Sequence, residues 1–102
     1  MEVKCVLKCC VDSKSGTSER TGNQWQTDEW LAVIPGPREK KIKFEVRGID
    51  RCREWQEFFN NMPEKNAPVL IRFEIDARCI TKDGKESWFN SVEAWNIEIT
   101  TW

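Results

Sequence analysis

Residues 40–60 read K-K-I-K-F-E-V-R-G-I-D-R-C-R-E-W-Q-E-F-F-N, and a change of period inside this stretch decides the fold. Ile42, Phe44 and Val46 alternate with Lys41, Lys43, Glu45 and Arg47, the pattern of a strand with one face in a core. Gly48 breaks the alternation. From Arg51 to about Asn60 the apolar residues Cys52, Trp55, Phe58 and Phe59 recur at helical spacing instead. Asp50 is placed to cap this helix, and Asn60-Asn61-Met62-Pro63 to end it. A third strand therefore runs into one short helix.

Two strands precede it. In Glu2 to Asp12, Val3, Cys5, Leu7, Cys9 and Val11 share one side, while the other side mixes Lys4 and Lys8 with Val6 and Cys10. A long bent strand that serves more than one neighbour would look like this. Ser13 to Asn23, with two glycines and many hydroxyls, predicts a long loop. Trp25 to Ile34 is the second strand. Its last part, Trp30-Leu31-Ala32-Val33-Ile34, is apolar on both faces and is expected to be buried on both. Pro35-Gly36-Pro37 ends it.

Two strands follow. Val69 to Ala77 puts Val69, Ile71, Phe73, Ile75 and Ala77 on one face. Asp83-Gly84 signals a hairpin reversal. In Ser87 to Thr100 the apolar parity shifts from Trp88, Val92 and Ala94 to Trp95, Ile97 and Ile99, as a bulge would cause. The order strand, strand, strand, helix, strand, strand is that of a mainly β, five-stranded OB-fold: a Greek-key barrel with one helix between strands three and four. A split ferredoxin-like sheet would need a second helix. The expectation is a single OB-fold domain spanning residues 1–102.

Composition narrows the function. The formal net charge is −1, so nothing draws the whole molecule to nucleic acid, and any anion binding must come from local clusters of Lys and Arg. No stretch approaches the ~20 apolar residues that span a membrane. Met1-Glu2-Val3-Lys4 lacks a signal-peptide layout, and a cytoplasmic protein is expected. Histidine is absent, which removes the commonest general base and metal ligand. The cysteines (Cys5, Cys9, Cys10, Cys52, Cys79) lack zinc-site spacing and read as buried or half-buried thiols in a reducing compartment. Neither catalysis nor a metal or cofactor is expected.

The opening M-E-V-K, the S-G-T loop, G-N-Q-W, K-I-K-F-E-V-R-G, F-E-I-D-A-R and the closing S-W-F-N-S-V-E-A-W-N-I-E together resemble a small bacterial family related to single-stranded DNA-binding proteins. The likeness runs along nearly the whole chain. The D-G-K-x-x-W-F-N-S-V-E-A ending is also similar to the last hairpin of bacterial single-strand-binding proteins. The resemblance implies an SSB-like OB-fold that acts on single-stranded DNA. No acidic tail of the kind replicative relatives use to recruit partners follows Trp102, so an accessory role in replication, recombination or a mobile element is expected.

Single-strand binding needs aromatic platforms and a basic groove. In an OB-fold the ligand crosses strands two and three between the first and last hairpin loops. The candidates are therefore Trp25 at the first loop, Trp88 and Phe89 after the last, the stripe Lys41, Lys43 and Arg47, and the loop cations Lys14, Arg20, Lys82 and Lys85. One of Trp88 and Phe89 is expected to face inward. Trp30, Trp55 and Trp95 read as packing residues. Glu45 within the stripe, with Asp28 and Glu29 across from it, opposes phosphate binding. DNA and RNA remain open, since contact with a 2′-hydroxyl leaves no compositional mark. So does a rival: a protein–protein interaction module with no nucleic-acid affinity of its own. Strand edges that pair between copies suggest a homodimer.

Overall fold

The computed structural model describes residues 1–102. Its elements are β1 (Glu2–Thr17), β2 (Gln24–Ile34), β3 (Lys40–Arg47), α1 (Ile49–Asn60), β4 (Pro68–Lys82) and β5 (Lys85–Ile99). The sheet runs β1-β2-β3-β5-β4 and closes into a barrel through β4 and β1. Every pairing is antiparallel except that of β3 with β5, which meet in parallel at one bridge, Glu45 with Glu93. This is the OB-fold that the order of elements predicts.

β1 closes the barrel because it serves two neighbours, and Val6 pairs with both Val33 of β2 and Pro68 of β4. Two bulges bend it. Leu7 pairs with Ala32 and Cys9 with Leu31, which leaves Lys8 over; Cys10 pairs with Trp30 and Asp12 with Glu29, which leaves Val11 over. Each bulge switches the strand's faces. Cys5 and Leu7 are buried, but Cys9 and Val11 turn to solvent and Cys10 turns toward the core, so the single face expected from Val3 to Val11 breaks after Leu7. The parity shift in β5 has the same cause: Arg72 pairs with Asn96 and Phe73 with Ala94, so Trp95 is the extra residue. The bulge is where the sequence places it, but it leaves Trp95 45% exposed instead of packed.

The core centres on Trp30, which is fully buried. Its ring lies 6.2 Å from that of Trp55 and 5.2 Å from that of Phe59, so the apolar stripe of α1 docks on β2 through aromatic contact. Phe44 and Phe73 meet edge to face at 5.4 Å. Trp30 Nε1 is buried without a hydrogen-bond partner. An orphaned donor of this kind costs about 1–3 kcal/mol, which the surrounding packing must exceed. The helix starts at Ile49 and is not capped by Asp50. Gly48 occupies the cap position at φ +105°, where its N–H donates to the Gln26 carbonyl (2.9 Å) and its own carbonyl accepts from Cys52 N–H (2.9 Å). That backbone tie to β2 leaves Asp50 in the first turn, paired with Arg53 at 3.1 Å.

Three further differences share one cause: both hairpins outrun the barrel. β1 continues as strand to Thr17, so only residues 18–23 turn where a loop from Ser13 is expected. β4 continues to Lys82, and Ile75 and Ala77, expected inside, lie beyond the core and are exposed. A ribbon with water on both faces has no periodic burial to reveal it, and its polar composition mimics a loop.

Trp55→Ala is expected to cost about 3–5 kcal/mol by opening a cavity between α1 and Trp30. Trp95→Ala, at the exposed bulge, should cost under about 1 kcal/mol. Urea unfolding of the two variants beside the parent checks the ranking.

Candidate nucleic-acid interface

In the first hairpin, β1 and β2 stay paired out to Thr17 and Gln24. The turn is compact. Ser18 N–H donates to the Asn23 carbonyl (2.8 Å), and Gly22 N–H, from a residue at φ +74°, donates to the Ser18 carbonyl (2.7 Å). Gly16 sits opposite Trp25. A Cβ at Gly16 would lie 3.0 Å from Trp25 Cζ2, so the indole rests on the glycine backbone. Trp25 is 46% exposed: Gly16 supports it while much of its surface stays open. The sequence marks Trp25 but not the glycine that seats it; the S-G-T triplet opposite Q-W-Q becomes informative only once the register is known.

A depression of about 350 Å³ beside Trp25 is lined in part by Ser15, Gln24, Gln26 and Ile49. It adjoins a second, of about 410 Å³, which shares Gln26 and Ile49 and reaches Cys10, Asp28 and Cys52. Asp28 is only 4% exposed. Its Oδ1 accepts from Ser13 Oγ at 2.6 Å and from Gln26 Nε2 at 3.1 Å. Asp28 therefore points inward and does not lie across from the basic stripe, as its position beside Glu29 suggests. Facing residues on β1 and β2 satisfy it locally.

The outer wall of β2 and β3 does carry the stripe of Lys41, Lys43 and Arg47, all exposed. Register sets it among acids, however. Asp12, Glu29, Glu45, Glu93 and Glu74 are successive cross-strand partners, one on each of β1, β2, β3, β5 and β4. Lys14 pairs with Asp12 (3.7 Å), Lys43 with Glu29 (2.7 Å) and Arg47 with Glu45 (2.9 Å). The hydrogen bond and charge of Glu29 hold the Lys43 ammonium above its ordinary pKa. Three of the candidate cations are thus already engaged, while Arg20, Lys41, Lys82 and Lys85 make no ion pair. Arg47 pairs across to Thr27 at the base of the first hairpin. It also lines a cavity of about 350 Å³ with Glu74, Asp76, Arg78, Ser91 and Glu93 at the base of the second.

The second hairpin reverses at Asp83 and Gly84, both at positive φ (+53° and +74°), the two-residue turn that Asp-Gly predicts. Trp88 and Phe89 are adjacent and so occupy opposite faces of the ribbon, with exposures of 67% and 54%. Neither faces inward, contrary to the expectation for one of them, because the core ends before they begin. The candidate aromatics are thus open to solvent on both hairpins.

The family model for a domain of unknown function, DUF3127, matches residues 2–98. The chain belongs to the DUF3127 family. No curated protein matches it by sequence. The mitochondrial single-stranded DNA-binding protein Rim1 of S. cerevisiae is similar in structure, with a TM-score of 0.59 at 13% identity, covering 99% of this chain and 93% of Rim1. A second crystal form of Rim1 gives 0.56 at 14% identity, with 99% and 94% covered. The Plasmodium falciparum SSB in complex with single-stranded DNA gives 0.51 at 7% identity, with 98% and 92% covered. At these identities the likeness establishes the fold alone.

The thiols of the DUF3127 chain divide by environment. Cys9 and Cys79 are exposed, against the expectation that all five are at least half-buried. Burial pushes the Cys5 thiol up from 9.0 to about 11. Cys52 also rises to about 11, through burial first and then the nearby Asp28 carboxylate; its Sγ–H donates to the Val46 carbonyl at 3.2 Å. Both thiols ionise more readily in the unfolded chain. Their contribution to stability is therefore intact below pH 9.0 and lost as the pH climbs toward about 11. Iodoacetamide on the native protein should label Cys9 and Cys79 and spare Cys5 and Cys52 until denaturant is added. Between pH 9.0 and about 11, a Cys5→Ala, Cys52→Ala double variant should lose less stability than the parent in urea titrations.

Proposed function

We propose that this DUF3127 chain is a non-catalytic, sequence-tolerant binder of single-stranded nucleic acid, DNA in the first instance, and that it grips the strand with its two hairpins. The observation that carries this reading is the exposure of Trp25, seated on Gly16, together with that of Trp88 and Phe89 on the second hairpin. Solvent-facing aromatics are costly to keep unless something covers them, and bases stack on any such face. The unpaired cations Arg20, Lys82 and Lys85 lie at or beside the two hairpin tips and supply phosphate contacts next to the aromatics. Lys41 extends the path onto β3. Lys14, Lys43 and Arg47 join by exchanging a carboxylate for a phosphate, a modest loss because exposed ion pairs contribute only about 0–1 kcal/mol. The OB-fold shared with Rim1 and the Plasmodium SSB agrees with this use of the hairpins. Bacterial origin, a reducing cytoplasmic setting and an accessory role in replication, recombination or a mobile element fit the sequence resemblance and the free thiols.

The row of carboxylates around the barrel favours a second reading. Asp12, Glu29, Glu45, Glu93 and Glu74 suit a cationic protein segment better than a phosphate backbone. In that case the domain is an interaction module without nucleic-acid affinity of its own.

Titrating oligo-dT against intrinsic tryptophan fluorescence at two salt concentrations separates the readings. Binding should quench the fluorescence and weaken as salt rises. Trp25→Ala or Trp88→Ala should each lose about 1–3 kcal/mol of binding. Lys82→Ala combined with Lys85→Ala should weaken binding more than Lys43→Ala, whose ammonium is already engaged. Absence of quenching at low salt, with Trp25→Ala indistinguishable from the parent, would defeat the nucleic-acid reading. Oligo-U run beside oligo-dT tests the preference for DNA.

A further inference from the structure

We infer that the free edge of β4 pairs with the same edge of a second copy of this chain, antiparallel and centred on Ala77. The inference rests on the backbone and charge pattern of that edge and does not depend on nucleic-acid affinity.

The backbone pattern follows from the turn. A two-residue loop makes Lys82 and Lys85 the closing hydrogen-bonded pair, so even-numbered residues of β4 exchange bonds with β5. The odd-numbered residues present their N–H and C=O groups on the other side. Phe73 fits this rule: its N–H donates to the Met1 carbonyl (2.8 Å) and its carbonyl accepts from the Met1 ammonium (3.1 Å). β1 begins there, and on that side no strand pairs with β4 from Glu74 to Lys82, which is held only by β5 on the other. Ile75, Ala77, Cys79 and Thr81 therefore form an open ladder. Ala77 N–H is capped only by the carboxylate of its own neighbour, Asp76 Oδ1, at 2.8 Å.

The side chains make this edge self-complementary. With Ala77 opposite the partner's Ala77, Ile75 meets Cys79 on one face of the sheet, and both pairs are exposed in a lone chain. On the other face Asp76 meets Arg78, twice by symmetry. These fall at non-hydrogen-bonded positions, where side chains approach most closely. Arg78 makes no ion pair within the chain, so it is free to do so. The small side chain at the twofold axis gives no obstruction. The free edge of β5 offers no such match: centred on Trp88, it sets Glu86 against Asn90 and Lys85 against Ser91. Pairing through β4 would turn two marginal two-stranded ribbons into one four-stranded sheet, which is stable where a lone ribbon is not. Trp88 of both copies would lie on one face and Phe89 of both on the other.

Sedimentation equilibrium without nucleic acid tests this. The parent is expected to be a dimer whose dissociation constant Arg78→Asp raises at least about tenfold, because Asp76 then faces an aspartate. The swap Asp76→Arg with Arg78→Asp restores the opposite charges and should restore the dimer. Circular dichroism confirms that each variant is folded. A monomeric parent, an assembly of any size that ignores Arg78→Asp, or a swap that fails to rescue would overturn the inference. Oligonucleotide binding is measured separately, so either reading can fail while the other stands.

Discussion

Closure of the barrel through β1 is the constraint on which the rest depends. β3 and β5 touch at a single bridge, so they contribute little to holding the sheet shut. The work falls to β1, which must follow β2 along one side and β4 along the other. A strand can do this only if it bends sharply, and the bulges at Lys8 and Val11 supply the bend. Those bulges also decide which side chains enter the core. They turn Cys9 out, bring Cys10 in and align Asp12 with Glu29. Trp30 fills the space this bend encloses, and α1 is held against it by Trp55 and Phe59.

Closure also sets the electrostatics of the wall. A closed sheet brings residues of five strands into one row, so acids far apart in sequence become neighbours. Cations drawn from the same strands pair with three of them and reduce the repulsion. The consequence is a division of labour. The wall is nearly neutral by mutual pairing, whereas Arg20, Lys82 and Lys85 remain unpaired out on the hairpins. A polyanion approaching the molecule is favoured at the hairpins before the wall. A cationic segment meets the reverse preference, with Glu74 and Glu93, which form no ion pair, as its openings.

Most of the barrel was legible in the sequence because burial imposes a period. Ile42, Phe44 and Val46, the stripe Cys52, Trp55 and Phe59, and the run Val69, Ile71, Phe73 all follow from alternation or helical spacing. The Asp83-Gly84 turn and the bulge in β5 were legible for similarly local reasons. What escaped lies where no local rule operates. The outer parts of both hairpins have water on both faces, so Ser13 to Thr17 read as loop and Ile75 and Ala77 as core. The helix start followed a long-range tie from Gly48 to Gln26, not the capping preference of Asp50. Trp25, Trp88 and Phe89 could be picked out as aromatics near turns, but the platform under Trp25 needed the register that places Gly16 opposite. The acidic row needed the register of four strand pairings at once.

The projecting hairpins pose a physical problem that the barrel does not. Beyond the core each is a two-stranded ribbon, and such ribbons are marginal in water. Trp25 lying across Gly16 steadies the first, because an aromatic laid over a strand glycine covers backbone that would otherwise be solvated. The second has no such cover. It is longer and carries Ile75, Ile80, Trp88 and Phe89 in the open, with unpaired backbone along both edges. Its sequence sets two acids ahead of two bases along β4 instead of presenting one sign. A uniform charge would keep like edges apart, whereas Glu74, Asp76, Arg78 and Lys82 create an edge whose two ends attract when one copy is turned against another. The hairpin that most needs support is therefore the one least protected against pairing with itself.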